Sequence, residues 1–305
     1  MPTHGTAASL SGEQLGEAQP WARPPATEVA LGPHTFDIRH RALVMAICNR
    51  TPDSFFDAGG YFPFDAFLRH VDAVAAQGAD LVDIGGVKAG PGDEVGEAEE
   101  MDRVVPAIEA VVARLSLPVS VDTWRASVAE ESFRAGAVVG NDISGFGDPD
   151  YLAVAAEAGA TVVATHIRLQ PRVPDPEPVY ADLVGEVTQY LLGRSEMALA
   201  AGIPAQRVIV DAGLDLGKTP AQSLELLRRS SDLAGLGFPV LLSASNKTFL
   251  GALLDRGVTD RREASLAAAA LGITKGCRLL RVHDVAGTVR VRNVIQAVLS
   301  SDSLQ

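Results

Sequence analysis

Several positions pair a side chain suited to polar chemistry with a short apolar run just before it. In chain order they are Asn49, Asp83-Ile84-Gly85-Gly86, Asp122-Thr123, Asn141-Asp142, His166, Asp211, Ser243 with Ser245, and Arg281 with His283-Asp284. Asp122, Asn141, Asp211 and Lys247 suit a flat heterocycle rich in N–H donors and ring-nitrogen acceptors. The carboxylates accept from an amino-pyrimidine edge, the amide serves both ways, and the lysine donates to a ring carbonyl or nitrogen. Asn49, Arg281 and His283 suit a phosphate group, with Mg²⁺ on the Asn49 oxygen as an option. Any one of these aspartates could merely cap the helix that follows it. A whole series of polar strand ends is harder to explain by capping alone. No nucleophile stands beside a base, and H-E-x-x-H and paired cysteine ligands are absent, which argues against a zinc site. Cys48, inside an apolar run, reads as a buried structural thiol.

Short β-branched runs at 43–48, 80–84, 118–121, 138–142, 161–166, 207–211, 239–243 and 277–282 read as strands. Ala-rich amphipathic stretches near 64–77, 97–115, 125–136, 149–158, 178–201, 220–234, 246–256 with 261–275, and 286–299 read as helices. Strands alternating with helices over short links mean βα units, and strands apolar on both faces mean a buried parallel sheet. Eight such units in roughly 260 residues predict a (β/α)8 TIM barrel, whose strand carboxyl ends share one rim. The rival, a doubly wound open sheet, lacks its G-x-G-x-x-G after the first strand. Residues 28–40, around Gly32-Pro33, predict a short N-terminal β-hairpin lying across one end of the barrel. Residues 1–27 predict a flexible tail, and 28–305 a single domain.

The chain has 305 residues, 26 basic against 38 acidic, for a net charge of −12. That surface repels nucleic acid and anionic membrane, so neither is an expected partner, and an anionic ligand must be captured by a few placed cations. Only four residues are lysine, and Lys88, Lys218 and Lys247 lie beside glycine-rich or Ser-Asn turns. No run of about eighteen apolar residues predicts a membrane span. The first residues lack the basic start and apolar stretch of a secretory signal, and the two cysteines, Cys48 and Cys277, sit in apolar runs. Together these predict a cytoplasmic protein with two reduced thiols.

The motifs Asn49-Arg50-Thr51-Pro52-Asp53-Ser54-Phe55, Asp83-Ile84-Gly85-Gly86, Ser120-Val121-Asp122-Thr123, Asn141-Asp142-Ile143-Ser144-Gly145, Gly217-Lys218-Thr219-Pro220 and Arg281-Val282-His283-Asp284-Val285 resemble those of dihydropteroate synthase. The resemblance covers roughly residues 35–299 in order and spacing, and composition and divergences look most like the second, divergent copy found in mycobacteria. It implies a (β/α)8 barrel, usually a homodimer, that joins 4-aminobenzoate to a dihydropterin methyl diphosphate with release of diphosphate. It further implies pterin binding by Asp122, Asn141, Ile143, Asp211 and Lys247. Asn49 would hold Mg²⁺, and Asn49, Arg281 and His283 would act at the diphosphate. The dimer interface is expected on 261–275 and 286–299.

The departures lie on one side. Where the family reads Glu-Ser-Thr-Arg-Pro-Gly, this chain has Val87-Lys88-Ala89-Gly90-Pro91-Gly92, so the loop threonine and arginine are Ala89 and Gly90. The family arginine after strand seven is Asn246, an aromatic wall is replaced by Leu216, Asp215 adds a charge, and Thr165 stands for a methionine. Losing one preorganised donor to a developing anion costs ~10²–10³ in rate, so two or three losses predict a fall of about 10³–10⁵. The expectation is a pterin-diphosphate binder whose condensation with 4-aminobenzoate is absent or severely impaired, with sulfa or sulfone analogues as weak ligands. The alternatives are a working synthase, with Lys88 as one replacement cation, and a non-catalytic pterin-binding or regulatory protein. A pterin-methyl transferase ranks below these, since no corrinoid partner module is present.

Overall fold

The computed structural model describes residues 22–51, 63–90 and 92–301. Two short antiparallel strands, β1 (Glu28–Leu31) and β2 (His34–Asp37), form the expected hairpin, and Gly32 takes the left-handed φ of +58° that its turn requires. Eight parallel strands follow: β3 (Leu43–Ile47), β4 (Leu81–Gly85), β5 (Val119–Asp122), β6 (Val139–Asp142), β7 (Thr161–Thr165), β8 (Val208–Asp211), β9 (Val240–Leu242) and β10 (Leu279–Val282). They close as a barrel in sequence order, with β10 returning to pair with β3 through Leu279 opposite Leu43 and Val282 opposite Ala46. The open-sheet alternative is therefore excluded.

Outside the barrel lie α1 (Phe64–Ala76), α2 (Glu97–Arg114), α3 (Ala126–Arg134), α4 (Tyr151–Glu157), α5 (Leu183–Ala200), α6 (Pro220–Arg228), α7 (Ser230–Ala234), α8 (Thr248–Leu254), α9 (Arg262–Thr274) and α10 (Val285–Ser301). Strands such as β3 and β7 are buried at every residue, because one face meets the helices and the other fills the barrel. Cys48 and Cys277 are buried, unbonded to each other, and burial pushes both thiols up, Cys277 to about 12.

The hairpin seals the end opposite the rim. Val29, Leu31 and Ile38 pack under Leu43, Met45, Leu81, Val139, Val163, Ile209, Leu241 and Leu279, the inward residues near the strand starts. Arg207 Nη2 donates to the Gly32 carbonyl at 2.9 Å, and Arg23 N–H to the Gly235 carbonyl at 2.7 Å, which docks the chain just before the hairpin. Of the tail expected over 1–27, residues 1–21 lie outside the described residues, while 22–27 run up to the hairpin with Arg23 held as above.

Two helices differ from the sequence reading. The stretch 178–201 begins its helix only at Leu183, where Asp182 caps the Gly185 N–H at 3.1 Å. Residues 178–182 before it are irregular, with Tyr180 OH donating to the Gly217 carbonyl at 2.7 Å. The stretch 220–234 breaks at Arg229 into α6 and α7. Thr219 and Gln222 start α6 with a capping box and Pro220 at its first turn.

Candidate functional site

The strand ends converge at the rim because alternate residues of each strand point into the barrel. Asp122, Asn141, Ile143, Asp211, Lys247 and Arg281 line one cavity of about 40 Å³ in the barrel mouth. Thus six of the eight residues expected at the pterin or diphosphate share one space. Ala89, Leu214 and Leu216 line it as well, with Thr165, Gly213 and Ser243.

Asp83, fully buried, is the hub that sequence reasoning passed over as a motif member without a role. Its carboxylate accepts from Arg281 Nε at 2.6 Å, Ser120 Oγ at 2.5 Å and Asn141 Nδ2 at 3.2 Å. Arg281 Nη2 also donates to Asp122 at 2.6 Å, so one guanidinium spans two carboxylates and lies across the cavity. Burial pushes the Asp122 carboxyl up to about 7, against the pull of Arg281 and with the help of Asp83 and Glu100. Burial opposes the charge on Arg281, but the paired carboxylates outweigh it and hold it protonated.

Asp211 ends β8, and its carboxylate accepts the Gly213 N–H at 2.8 Å. Gly213 sits at φ +63°, and a Cβ there would come within 1.9 Å of the His166 carbonyl, so only glycine permits this turn. Burial raises the Asp211 carboxyl and lowers the Lys247 amine. Both shifts are resisted by their mutual attraction across the cavity.

The two remaining expected residues flank this space. Asn49 follows β3 with its Oδ1 buried and without a hydrogen-bond partner among the described residues, 2.8 Å from where a Cβ on Gly85 would be. An orphaned amide oxygen of this kind fits one ligand position of a hard cation. The described residues hold no cluster of three His, Cys, Asp or Glu, so most of such an ion's shell would come from phosphate oxygens and water. His283 Nδ1 lies 3.0 Å from Ser245 Oγ, and burial, with Arg281 and Lys247 nearby, lowers its pKa to about 3. It is a neutral imidazole at physiological pH and offers an anion an N–H, not a charge.

The positions that depart from the family have individual structural reasons. Val87 is buried, Ala89 presents a methyl to the cavity, and Gly90 opens on a neighbouring groove. Asn246 is turned inward at φ +57°, where its Oδ1 accepts from Ser265 Oγ at 3.2 Å, while Arg261 donates to the Asn246 carbonyl at 2.9 Å. Asp215 is a helix cap: its carboxylate accepts from Thr248 N–H at 2.5 Å, Thr248 Oγ1 at 2.8 Å and Phe249 N–H at 3.3 Å at the start of α8. Lys88 is not among the described residues lining the cavity. Pro52–Phe55 of the first motif lies outside the described residues.

A second buried pair went unforeseen. Lys218 Nζ sits 2.9 Å from His166 Nδ1 and 2.9 Å from the Leu216 carbonyl. Burial lowers Lys218 to about 7 and His166 to about 3. The Gly217-Lys218-Thr219-Pro220 motif carried the only hint, and it did not say where the amine points.

Residues 45–283 match the family model of pterin binding enzymes. The chain is 40% identical over 270 residues to dihydropteroate synthase of Bacillus subtilis, covering 88% of this chain and 92% of that one. It is 42% identical over 264 residues to the inactive dihydropteroate synthase 2 of Mycobacterium leprae, covering 85% and 91%. The Yersinia pestis dihydropteroate synthase, solved as a complex with a sulfonamide drug, superposes with a TM-score of 0.86 at 37% identity, over 90% of this chain and 99% of that one.

Proposed function

The chain belongs to the dihydropteroate synthase family of pterin-binding enzymes, and from that premise we propose that it binds a pterin diphosphate but condenses it with 4-aminobenzoate slowly or not at all. The observation that carries this is the make-up of the cavity. The groups suited to an amino-pyrimidine edge, Asp122, Asn141, Asp211 and Lys247, line it together, whereas Ala89 and Leu216, which also line it, bring no donor and no charge.

A ring that pairs its amino-pyrimidine edge with Asp122 takes the place of Arg281 Nη2 on that carboxylate. The freed guanidinium then meets the diphosphate, with the neutral His283 as a second donor. Mg²⁺, if bound, would sit on Asn49 Oδ1 and neutralise charge on the departing diphosphate. As diphosphate leaves, the pterin methylene becomes cationic, and the site must stabilise that charge and exclude water until the amine attacks. The wall that would order the amine is the depleted one. Asn246, held by Ser265, supplies no planar cation there. A homodimer through α9 and α10 is part of the same reading, supported by exposed Leu271 and Val294 on those helices.

The second reading, a working synthase, is favoured by 40% identity to the Bacillus subtilis enzyme. Measuring dihydropteroate formation, with pterin binding followed by calorimetry, separates the two. The expected result is pterin heat with turnover about 10³–10⁵ below an ordinary synthase. Ala89→Thr, Gly90→Arg and Asn246→Arg together should recover part of it. Among the described residues, a Cβ at Gly90 meets Lys88 Cε alone, at 3.8 Å, an ordinary contact. Ordinary turnover by the unmodified chain, or no pterin heat at all, would overturn the proposal.

A further inference from the structure

The end of the barrel opposite the rim carries a cavity of about 360 Å³ that the pterin reading leaves unused. Pro24, Pro25, Phe238 and Pro239 line it with apolar rings, and Arg278, the residue before β10, brings a guanidinium to them. The strap leading into the hairpin is fitted closely there. Gly237 takes φ +82°, and a Cβ on it would come within 3.0 Å of Arg23 Cβ. Arg278 is itself fixed between β9 and β3, its N–H on the Val240 carbonyl at 2.9 Å and its carbonyl on the Leu43 N–H at 2.8 Å.

The charges in this cavity do not balance. Arg39, the other cation on its lining, is paired with Asp37, Nε to Oδ2 at 3.0 Å. Arg278 is half-buried, and among the described residues no carboxylate lines the cavity or pairs with it. Its Nη1 donates to the Ile273 and Cys277 carbonyls at 2.8 and 3.0 Å, and its Nη2 to the Arg39 carbonyl at 3.2 Å, all neutral acceptors. Burial accordingly works against its charge. Nε and one N–H of Nη2 are left over, the donors that a carboxylate can take with both its oxygens.

We propose that this cavity binds a small aromatic carboxylate, with its anion on Arg278 and its ring against the prolines and Phe238. One uncompensated charge selects a monoanion. A phosphate dianion would bring a second charge against apolar rings that leave it unneutralised. The site lies at the strand starts, away from the residues that close the strands, so it is separate from the pterin cavity. An occupant bridges the strap before the hairpin to the barrel and takes no part in chemistry at the rim.

Calorimetry of the full chain with 2-naphthoate, 2-naphthamide and inorganic phosphate tests it, with and without a saturating pterin diphosphate. A hydrogen bond to a charged group corresponds to roughly a ten- to hundredfold change in affinity. The carboxylate should therefore bind about tenfold or more tightly than the uncharged amide, and Arg278→Gln should lose that preference. Thr27→Trp, an exposed position on the cavity lining, fills the space and leaves Arg278 in place, so it should weaken acid and amide alike. The pterin should leave naphthoate affinity unchanged. Should Arg278→Gln fail to fold, the acid–amide comparison and Thr27→Trp still decide. Equal affinity for acid and amide, no naphthoate binding, a preference that survives in folded Arg278→Gln, an unchanged Thr27→Trp, or displacement of naphthoate by the pterin would overturn the proposal. Phosphate binding more tightly than naphthoate would overturn the aromatic assignment. Absence of pterin heat with naphthoate binding intact would instead defeat the pterin reading alone.

Discussion

Asp83→Asn is the sharpest test of how the barrel mouth is held together. The native carboxylate is fully buried and receives three side-chain hydrogen bonds, from Arg281, Ser120 and Asn141. An asparagine keeps the shape but has one acceptor oxygen in place of two, and it removes one of the two charges that face Arg281. Breaking a buried pair by removing one partner costs about 3–5 kcal/mol. Because Asp122 still holds Arg281 at 2.6 Å, the low end applies, about 3 kcal/mol. For a chain of 305 residues that corresponds to a melting temperature lower by roughly 4–6 °C. Ser120→Ala, which removes one hydrogen bond to the same carboxylate, should cost about 1.5–3 kcal/mol, at or below the Asp83 change. Thermal melts followed by circular dichroism at pH 7.5 measure both. If Asp83→Asn melts within about 2 °C of the parent, or Ser120→Ala is clearly the more damaging, Asp83 is not the hub.

Four further outcomes are expected. Pterin affinity should rise about tenfold between pH 6 and 8 and then flatten, since ligand N–H donors need ionised Asp122, whose carboxyl lies at about 7; Asp122→Asn should show no such slope. The same raised value gives Asp122 a contribution to folding that is present below its ordinary 3.8 and lost as pH rises through about 7, a trend that pH-dependent melts of the parent and Asp122→Asn reveal. Asp211→Asn should abolish pterin heat while melting nearly as the parent, because an amide oxygen still accepts the Gly213 N–H. Asp215→Ala should lower stability by about 0.5–2 kcal/mol through loss of the α8 cap, without any gain in dihydropteroate formation.

The sequence by itself determined the architecture and most of the mouth. Near-continuous apolar runs alternating with amphipathic helices leave little choice but a parallel barrel, and a barrel sends the residue closing each strand to one rim. Hence the sequence alone places Asp122, Asn141, Asp211, Lys247 and Arg281 on one rim and marks Cys48 and Cys277 as buried thiols.

What the sequence left open was side-chain direction and partner choice across distant loops. Asn246 reads as a lost arginine, and only its left-handed backbone shows that the side chain turns inward to Ser265. Asp215 reads as an intrusive charge, and only the approach of α8 makes it a cap for residues more than thirty positions away. Asp83 reads as part of a motif, and only strand closure brings Arg281, 198 positions on, to within 2.6 Å of it. Periodicity encodes which face a residue occupies along its own element. It carries no information on which element, brought by the closed barrel, stands opposite, and that pairing settles the charge balance of the site.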